Sequence, residues 1–341
     1  MFKQIVRSFV FIAVLLGFCV GGNVVWAKTV IKFSIGANDG PGGEINGMKA
    51  FKKYVEAKSG GEIEVRLFFN TMGGSLQLTE AVKNGTLEMC LTDDSVLGSF
   101  HKPMQVFQIP YLFPSSPVAW RFTQSDFVRD LTDGMREATG LRTLTFSENG
   151  FRNLTNNKRV IKTPDDLKGL KMRTMQSPVY VNFMKSMGAG ATPIAWPELM
   201  GALKQGVVDG QENAASTIWD GKLYEVQKYM SVNEHIYGLH LLVINDRFFQ
   251  SLSADHQKII MDGAKMHSAV ANAQKSMDNL ANIDKIKGAG MVVHVTTPSE
   301  KEQFRKVSQD AVKEYIAGQV GAELVNNLMS AVDKTVSESY Q

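Results

Sequence analysis

Apolar positions along the chain repeat with two different periods, and the two periods alternate. Ile31, Phe33 and Ile35 are separated by Lys32 and Ser34, and Ile63, Val65 and Leu67 by Glu64 and Arg66. A period of two marks a strand with one buried face. Between these segments residues 48–57 read as a helix that stops at Ser59-Gly60-Gly61. Residues 76–83 predict a second helix, closed by Asn84-Gly85, and residues 88–92 a third strand. The order β-α-β-α-β predicts a parallel sheet covered by helices. A helix over 118–137 and a strand over 141–146 follow, and Asn149-Gly150 reads as the start of a second unit. In that unit Thr163-Pro164-Asp165-Asp166-Leu167 resembles a capped helix start. A strand is expected over 170–173, helices over 179–187 and 197–205, and a strand over 207–210 leading into Gln211-Glu212-Asn213.

The last third begins with an apolar strand over 239–244. Ser253 then caps a helix in which Ile259, Gly263, Met266, Val270, Ala273, Met277 and Leu280 recur at three and four, one continuous stripe. Such a helix runs to about thirty residues, ~45 Å at 1.5 Å per residue. That is longer than one domain needs, so it is expected to brace two. A strand over 291–295, a helix opened by Thr297-Pro298 and a helix over 322–336 complete the chain. The pattern predicts two α/β lobes joined by crossing strands.

Composition narrows the class. Of 341 residues 44% are hydrophobic and 21% charged, which excludes disorder, collagen and coiled coil as global descriptions. Residues 1–27 read as a secretory leader: Lys3 and Arg7 are its charges, an apolar stretch spans 9–20, and Val25-Trp26-Ala27 supplies small residues for cleavage. The apolar stretch is shorter than the ~20 residues a membrane span needs. Without Lys3 and Arg7 the 37 Lys and Arg become 35 against 34 Asp and Glu, a net +1. That balance gives no support for nucleic-acid binding. Cys90 is then the one remaining cysteine, so no intrachain disulfide forms, and its setting in Met89-Cys90-Leu91 predicts a buried thiol.

Enzyme signatures are mostly absent: no G-x-S-x-G, P-loop, H-E-x-x-H, C-x-x-C or G-x-G-x-x-G after a strand. No cofactor or metal is expected. His235 and His240 are either a metal pair or rings hydrogen-bonded in a cleft, and Asp93-Asp94 either metal ligands or a loop cap. Polarity stands at strand ends instead. Arg173 closes a strand that should be buried, and a buried guanidinium needs a partner. That partner is a structural carboxylate or an anionic ligand, for which arginine offers a planar fork. Arg152 is a second candidate. Asn213 stands at a strand mouth, where open α/β sheets place ligands. Trp196 is either core or a lid over a bound molecule.

Several spaced motifs carry a resemblance. K-M-R at 171–173, S-P-V-Y at 177–180, G-A-x-x-T-P-I-x-W-x-E-L at 188–199, A-L-K-Q-G-V-V-D-G-Q-E-N at 202–213 and Y-E-V-Q-K-Y at 224–229 occur in order, with N-G-F-R-N-L-T-N at 149–156 and I-P-Y-L-F-P-S at 109–115. The chain resembles the DctP-type periplasmic solute-binding proteins of TRAP (tripartite ATP-independent periplasmic) transporters over essentially its whole mature length. It departs at Ala214, where the family often has proline. The resemblance implies a two-lobed periplasmic-binding-protein fold with an interlobe ligand cleft, crossing strands and a long helix spanning both lobes. It implies lobe I over 28–149, the main part of lobe II over 150–236, and segments completing both over 237–341. It implies a monomeric receptor that catches a small organic anion and delivers it to TRAP membrane permease subunits. By motif position Arg173 resembles the arginine that salt-bridges the ligand's acid group, Arg152 the second arginine, Asn213 the amide on the same group and Trp196 the aromatic beside it. His240 falls on the crossing strand, and Asn38, Gln77 and Asp93 on first-lobe loops that face the cleft.

Two other roles compete. A periplasmic enzyme would use His240 and Asp93 as acid and base, but lacks a nucleophile or cofactor site; a ligand sensor for a signalling protein would share fold and cleft. Two arginines and an amide fit carboxylates and sulfonates alike, so C4-dicarboxylates, hydroxy and sugar acids and isethionate all remain. Trp196 and His240 favour a compact ligand.

Overall fold

The computed structural model describes residues 28–340, so the leader expected over 1–27 lies outside the described residues. The two alternating segments pair as their pattern predicts. β1 (Thr29–Ile35) and β2 (Ile63–Phe69) run parallel, with Ile31 beside Val65 and Phe33 beside Leu67. β3 (Met89–Asp93) joins the other edge of β1, also parallel. Helices Gly43–Lys58 and Ser75–Lys83 make the crossovers. The inward residues Ile31, Phe33, Met48, Phe51 and Val65 form one apolar core. Cys90 is buried as expected, and burial pushes its thiol far up.

Two local readings change. The helix expected over 118–137 is two helices, Ser116–Phe122 and Asp126–Thr139. Ser125 stands between them and its side chain accepts from the Val128 N–H, so a good N-cap begins the second helix. The strand expected to stop at Phe146 continues as β4 (Leu141–Asn156), 16 residues that pass through Asn149-Gly150. Gly150 has φ 112°, and a Cβ there would lie 2.1 Å from Asn279 Nδ2. Glycine therefore serves a register shift between Glu148 and Gly150 instead of a turn.

The remaining strands are β5 (Lys171–Thr174), β6 (Gly190–Pro193), β7 (Gly210–Ala214), β8 (Tyr229–Val232), β9 (Tyr237–Asn245) and β10 (Val292–Val295). The strand order is β2-β1-β3-β9-β4-β7-β5-β6, with β8 on β4 and β10 on β8. β4 pairs β9 from Leu141 to Phe151, then β7 from Arg152 to Asn156. β4 and β9 are the crossing strands, and the one sheet is shared by two lobes. β7 begins three residues later than its expected position, so Glu212 and Asn213 lie within a buried strand and not beyond its mouth.

The helix Ala254–Gly288 spans 35 residues, ~52 Å at 1.5 Å per residue. It packs on the helix Gly43–Lys58, on β4, on the helix Ala215–Asp220 and on β10, so it touches both lobes. Much of the stripe expected to face inward does not, although Gly263 is buried. Met266, Met277 and Leu280 are 42%, 65% and 78% exposed. The buried face holds Ile260, Gly263, Ala264, His267, Ala271, Lys275, Asn282 and Ile286. Close approach decides this choice: a Cβ on Gly43 would lie 2.9 Å from the Ala271 carbonyl, and one on Gly47 2.9 Å from the His267 carbonyl. Where Gly43 and Gly47 approach, the seam takes small residues and paired polar ones, while Ile260 packs into the first-lobe core beyond it. No described helix is long and apolar enough to cross a membrane.

Candidate functional site

Parallel strands of both lobes end toward one cleft, a cavity of about 600 Å³. The first lobe lines it with Asn38 and Asp39 after β1, Asn70 after β2, Ser75 at a helix start and Asp93 at the end of β3, and His240 of β9 joins them. The second lobe lines it with Arg152 on β4, Arg173 on β5, Asn213 on β7, and Trp196 and Pro197 at a helix start. The lips meet: a Cβ on Gly74 would lie 3.3 Å from that of Ala195.

Arg152 and Arg173 are neighbours with different fates. Arg152 Nε donates to Glu212 Oε2 at 2.5 Å, and its Nη2 donates to Glu212 Oε1 and to the Glu212 carbonyl, each at 2.9 Å. The pair is completely buried. Burial opposes the charge of Glu212, but Arg152 and the His235 ring, 3.3 Å away, outweigh it and hold the carboxyl at about 2. His235 itself bonds Asn233 and stacks on Phe183 at 4.8 Å between centroids. Most of the Arg152 fork is therefore spent on protein.

Among the described residues Arg173 has no such partner. Its side chain is buried, the residue being 2% exposed, yet the one protein bond of its guanidinium is Nε to the Ile194 carbonyl at 2.8 Å. Nη1 is buried without an acceptor. Burial, set partly against the charge of Glu212 and reinforced by Arg152, brings its pKa down to about 10, still cationic at neutral pH. An unpaired buried cation lining a cleft is stabilised by an anion that enters it.

The other expected residues sort by position. Asn213 lines the cleft, and its side-chain Oδ1 accepts from the Ala214 N–H at 3.1 Å, so what it offers a ligand is its NH2. Trp196 lines the cleft with its ring edge against Gly221, where a Cβ would lie 2.7 Å from it. Asn38 accepts from Asn70 Nδ2 at 2.9 Å on the outer rim. Gln77 does not reach the cleft; it is exposed. Leu78, Thr79 and Val82 form the buried face of that helix, and Ser75, three, four and seven residues before them, takes the inward position.

Asp93 accepts from the Ser75 hydroxyl at 2.5 Å and lies 3.2 Å from His240 Nε2. Burial works against its charge, but His240, Ser75 and Arg152 outweigh it and hold the carboxyl at about 2. Asp94 turns away and accepts from the Leu239 N–H at 3.1 Å, while burial pushes its carboxyl up to about 7. Among the described residues no three His, Cys, Asp or Glu side chains are grouped to hold a metal.

Glu212, Ser75, Asn70 and the pair Lys275–Glu44, at 2.7 Å, were not legible as site residues. Glu212 had a signal: an acid between Gln211 and Asn213 beside a predicted strand, in a chain with arginines to neutralise.

Comparison with known proteins agrees with this geometry. Residues 43–319 match the DctP family, "Bacterial extracellular solute-binding protein, family 7". The chain is 34% identical to a "Solute-binding protein" of Verminephrobacter eiseniae over 71% of its length and 72% of the relative's. It is 30% identical to the 2,3-diketo-L-gulonate-binding periplasmic protein of Escherichia coli, over 84% of this chain and 86% of that one. Among solved structures, the sugar acid binding protein of Advenella mimigardefordensis in complex with galactonate superposes with a TM-score of 0.86 at 30% identity, covering 90% of this chain and 99% of that one. A TRAP periplasmic solute-binding protein of Polaromonas bound to D-erythronate gives 0.83 at 31% identity, over 89% and 98%. With the two-lobed fold and the arginine-lined cleft, these matches place the chain in the DctP family of TRAP solute-binding proteins.

Proposed function

We propose that this chain is the extracytoplasmic receptor of a TRAP transporter: it captures a small organic acid between its lobes and delivers it to the membrane permease. The observation that carries this is the buried Nη1 of Arg173, a cationic donor lining the cleft with no protein acceptor. A ligand acid group completes it, and Asn213 adds a donor. Arg152, already neutralised by Glu212, holds the strand in place and adds field. The relatives' printed ligands, 2,3-diketo-L-gulonate, galactonate and D-erythronate, are all organic acids. The relatives are binding proteins, and this chain is read likewise: it returns its ligand unchanged. The leader over 1–27 sends it to the periplasm, where it acts as a monomer.

A thermal-shift screen over organic acids and sulfonates tests the reading. A ligand at 100 times its Kd should stabilise the protein by ~2.7 kcal/mol, a shift of several degrees. The ligand recovered after denaturation should have its original mass. A screen in which no anion shifts the transition, or a ligand recovered as a new compound, contradicts the proposal.

A further inference from the structure

The lysines and arginines of the cleft are confined to one of its two walls. Among the described residues the four lysines and arginines that line it, Arg152, Arg173, Lys204 and Lys222, come from the second lobe, which also brings Asp220 and Glu225. The first-lobe wall contributes Asp39, Glu44 and Asp93, with neither lysine nor arginine. Asp39 and Glu44 have ammonium partners of their own, Lys49 at 2.6 Å and Lys275 at 2.7 Å. Asp93 has none; its partners are the Ser75 hydroxyl and the His240 ring. An ionised carboxylate accepts about four hydrogen bonds and donates none, so acceptor positions remain for a ligand. His240 Nδ1 beside it is buried and also has no partner.

This division orients a ligand. Its acid group goes to Arg173, the unpartnered and buried cation of the second wall. Whatever extends to the first wall meets Asp93. A hydroxyl there finds a charged acceptor and makes a strong hydrogen bond. A second acid there meets like charge, and Arg152, the arginine whose charge reaches Asp93, is already paired with Glu212, which is how a site rejects a near-isostere. Resting on the reading that the cleft captures an organic acid through Arg173, we propose that Asp93 sets its specificity: it accepts from the hydroxyls of a hydroxylated monocarboxylic acid and excludes dicarboxylic acids of the same length.

Calorimetry on the mature chain with matched pairs tests this: erythronate against succinate, gluconate against adipate, and γ-aminobutyrate as a probe with an ammonium tail. In the wild type, at least one hydroxy acid should bind about tenfold or more tighter than its diacid. Asp93→Asn keeps the side chain's shape and an acceptor for Ser75. It should narrow that ratio to about threefold or less, weakening the hydroxy acid and strengthening the diacid. The wild-type ranking stands whether or not the variant folds. A diacid that equals or beats its hydroxy partner in the wild type overturns the role of Asp93. If that diacid binding is lost in Arg173→Ala, the receptor reading survives and only this inference falls. γ-Aminobutyrate binding tighter than every hydroxy acid replaces the hydroxyl reading with an ammonium one. Wild-type protein that binds none of the five overturns this inference, and the receptor reading fails with it only if the broader anion screen is also blank. A folded Asp93→Asn with an unchanged ratio also overturns it.

Discussion

Arg173→Ala should abolish useful capture of an acid ligand and leave a protein at least as stable as wild type when no ligand is present. The two halves of this expectation come from one fact. The guanidinium is buried, and the bond it makes to protein is through Nε to the Ile194 carbonyl. In the complex it pairs with the ligand's acid in a cleft that excludes water. Breaking a buried pair costs ~3–5 kcal/mol, roughly a hundredfold to a few thousandfold in affinity. Arg173→Lys should recover only part of this, because an ammonium lacks the fork. In the empty protein the same arginine is a desolvated charge without a counterion, so its removal relieves a cost. Calorimetry for affinity and a melting curve without ligand check both halves. Weak binding together with a lowered melting temperature would mean that Arg173 is a structural residue, and binding within about threefold of wild type would mean that the acid lies elsewhere.

Glu212→Ala should instead strike the fold. It leaves Arg152 buried with no carboxylate in the middle of the crossing strand, and the expected loss is again ~3–5 kcal/mol of stability. Replacing both partners, Arg152→Met with Glu212→Leu, should recover most of that loss, since a buried pair is weak as net stabilisation though costly to break. The pH dependence has a definite sign. Glu212 titrates at about 2 in the fold against 4.5 ordinarily, so the folded state binds fewer protons in that interval. Its contribution is complete above pH ~4.5 and is lost as pH falls toward about 2. The gap in melting temperature between wild type and Glu212→Gln should therefore be widest near neutrality and narrow below pH ~4.5. Asp93, also held at about 2, contributes in the same acid interval, so the variant should retain some acid sensitivity. A gap that is constant from pH 7 to pH 3 would show that the charge of Glu212 is not what matters.

Much of this was legible in the sequence, because the physics there is local. Alternation in β1 and β2 needs only neighbouring residues to be read, and so do the caps at Ser253 and Thr297, whose side chains accept from His256 and Glu300. Arg173 was legible because a charge closing an apolar strand has to be answered by something. What escaped depends on distance. Glu212 meets Arg152 across 60 residues of chain, and β7 is buried while carrying glutamine, glutamate and asparagine, so hydropathy placed the strand too early. The long helix misled for a related reason: Met266, Met277 and Leu280 of its apolar stripe face outward, since Gly43 and Gly47 bring the first lobe too close for bulky side chains there. Ser75 in place of Gln77 is a matter of helix phase, which the first residue of a helix sets and the sequence does not mark.

One contact decides the receptor reading, an acid group on Arg173. A crystal structure of the protein with a ligand from the screen reads it directly. A carboxylate oxygen is expected at ~2.7–2.9 Å from Arg173 Nη1, with Arg152 still on Glu212. A tightly bound ligand whose acid group lies away from Arg173, or an Arg173 that has turned to a protein carboxylate, would contradict it.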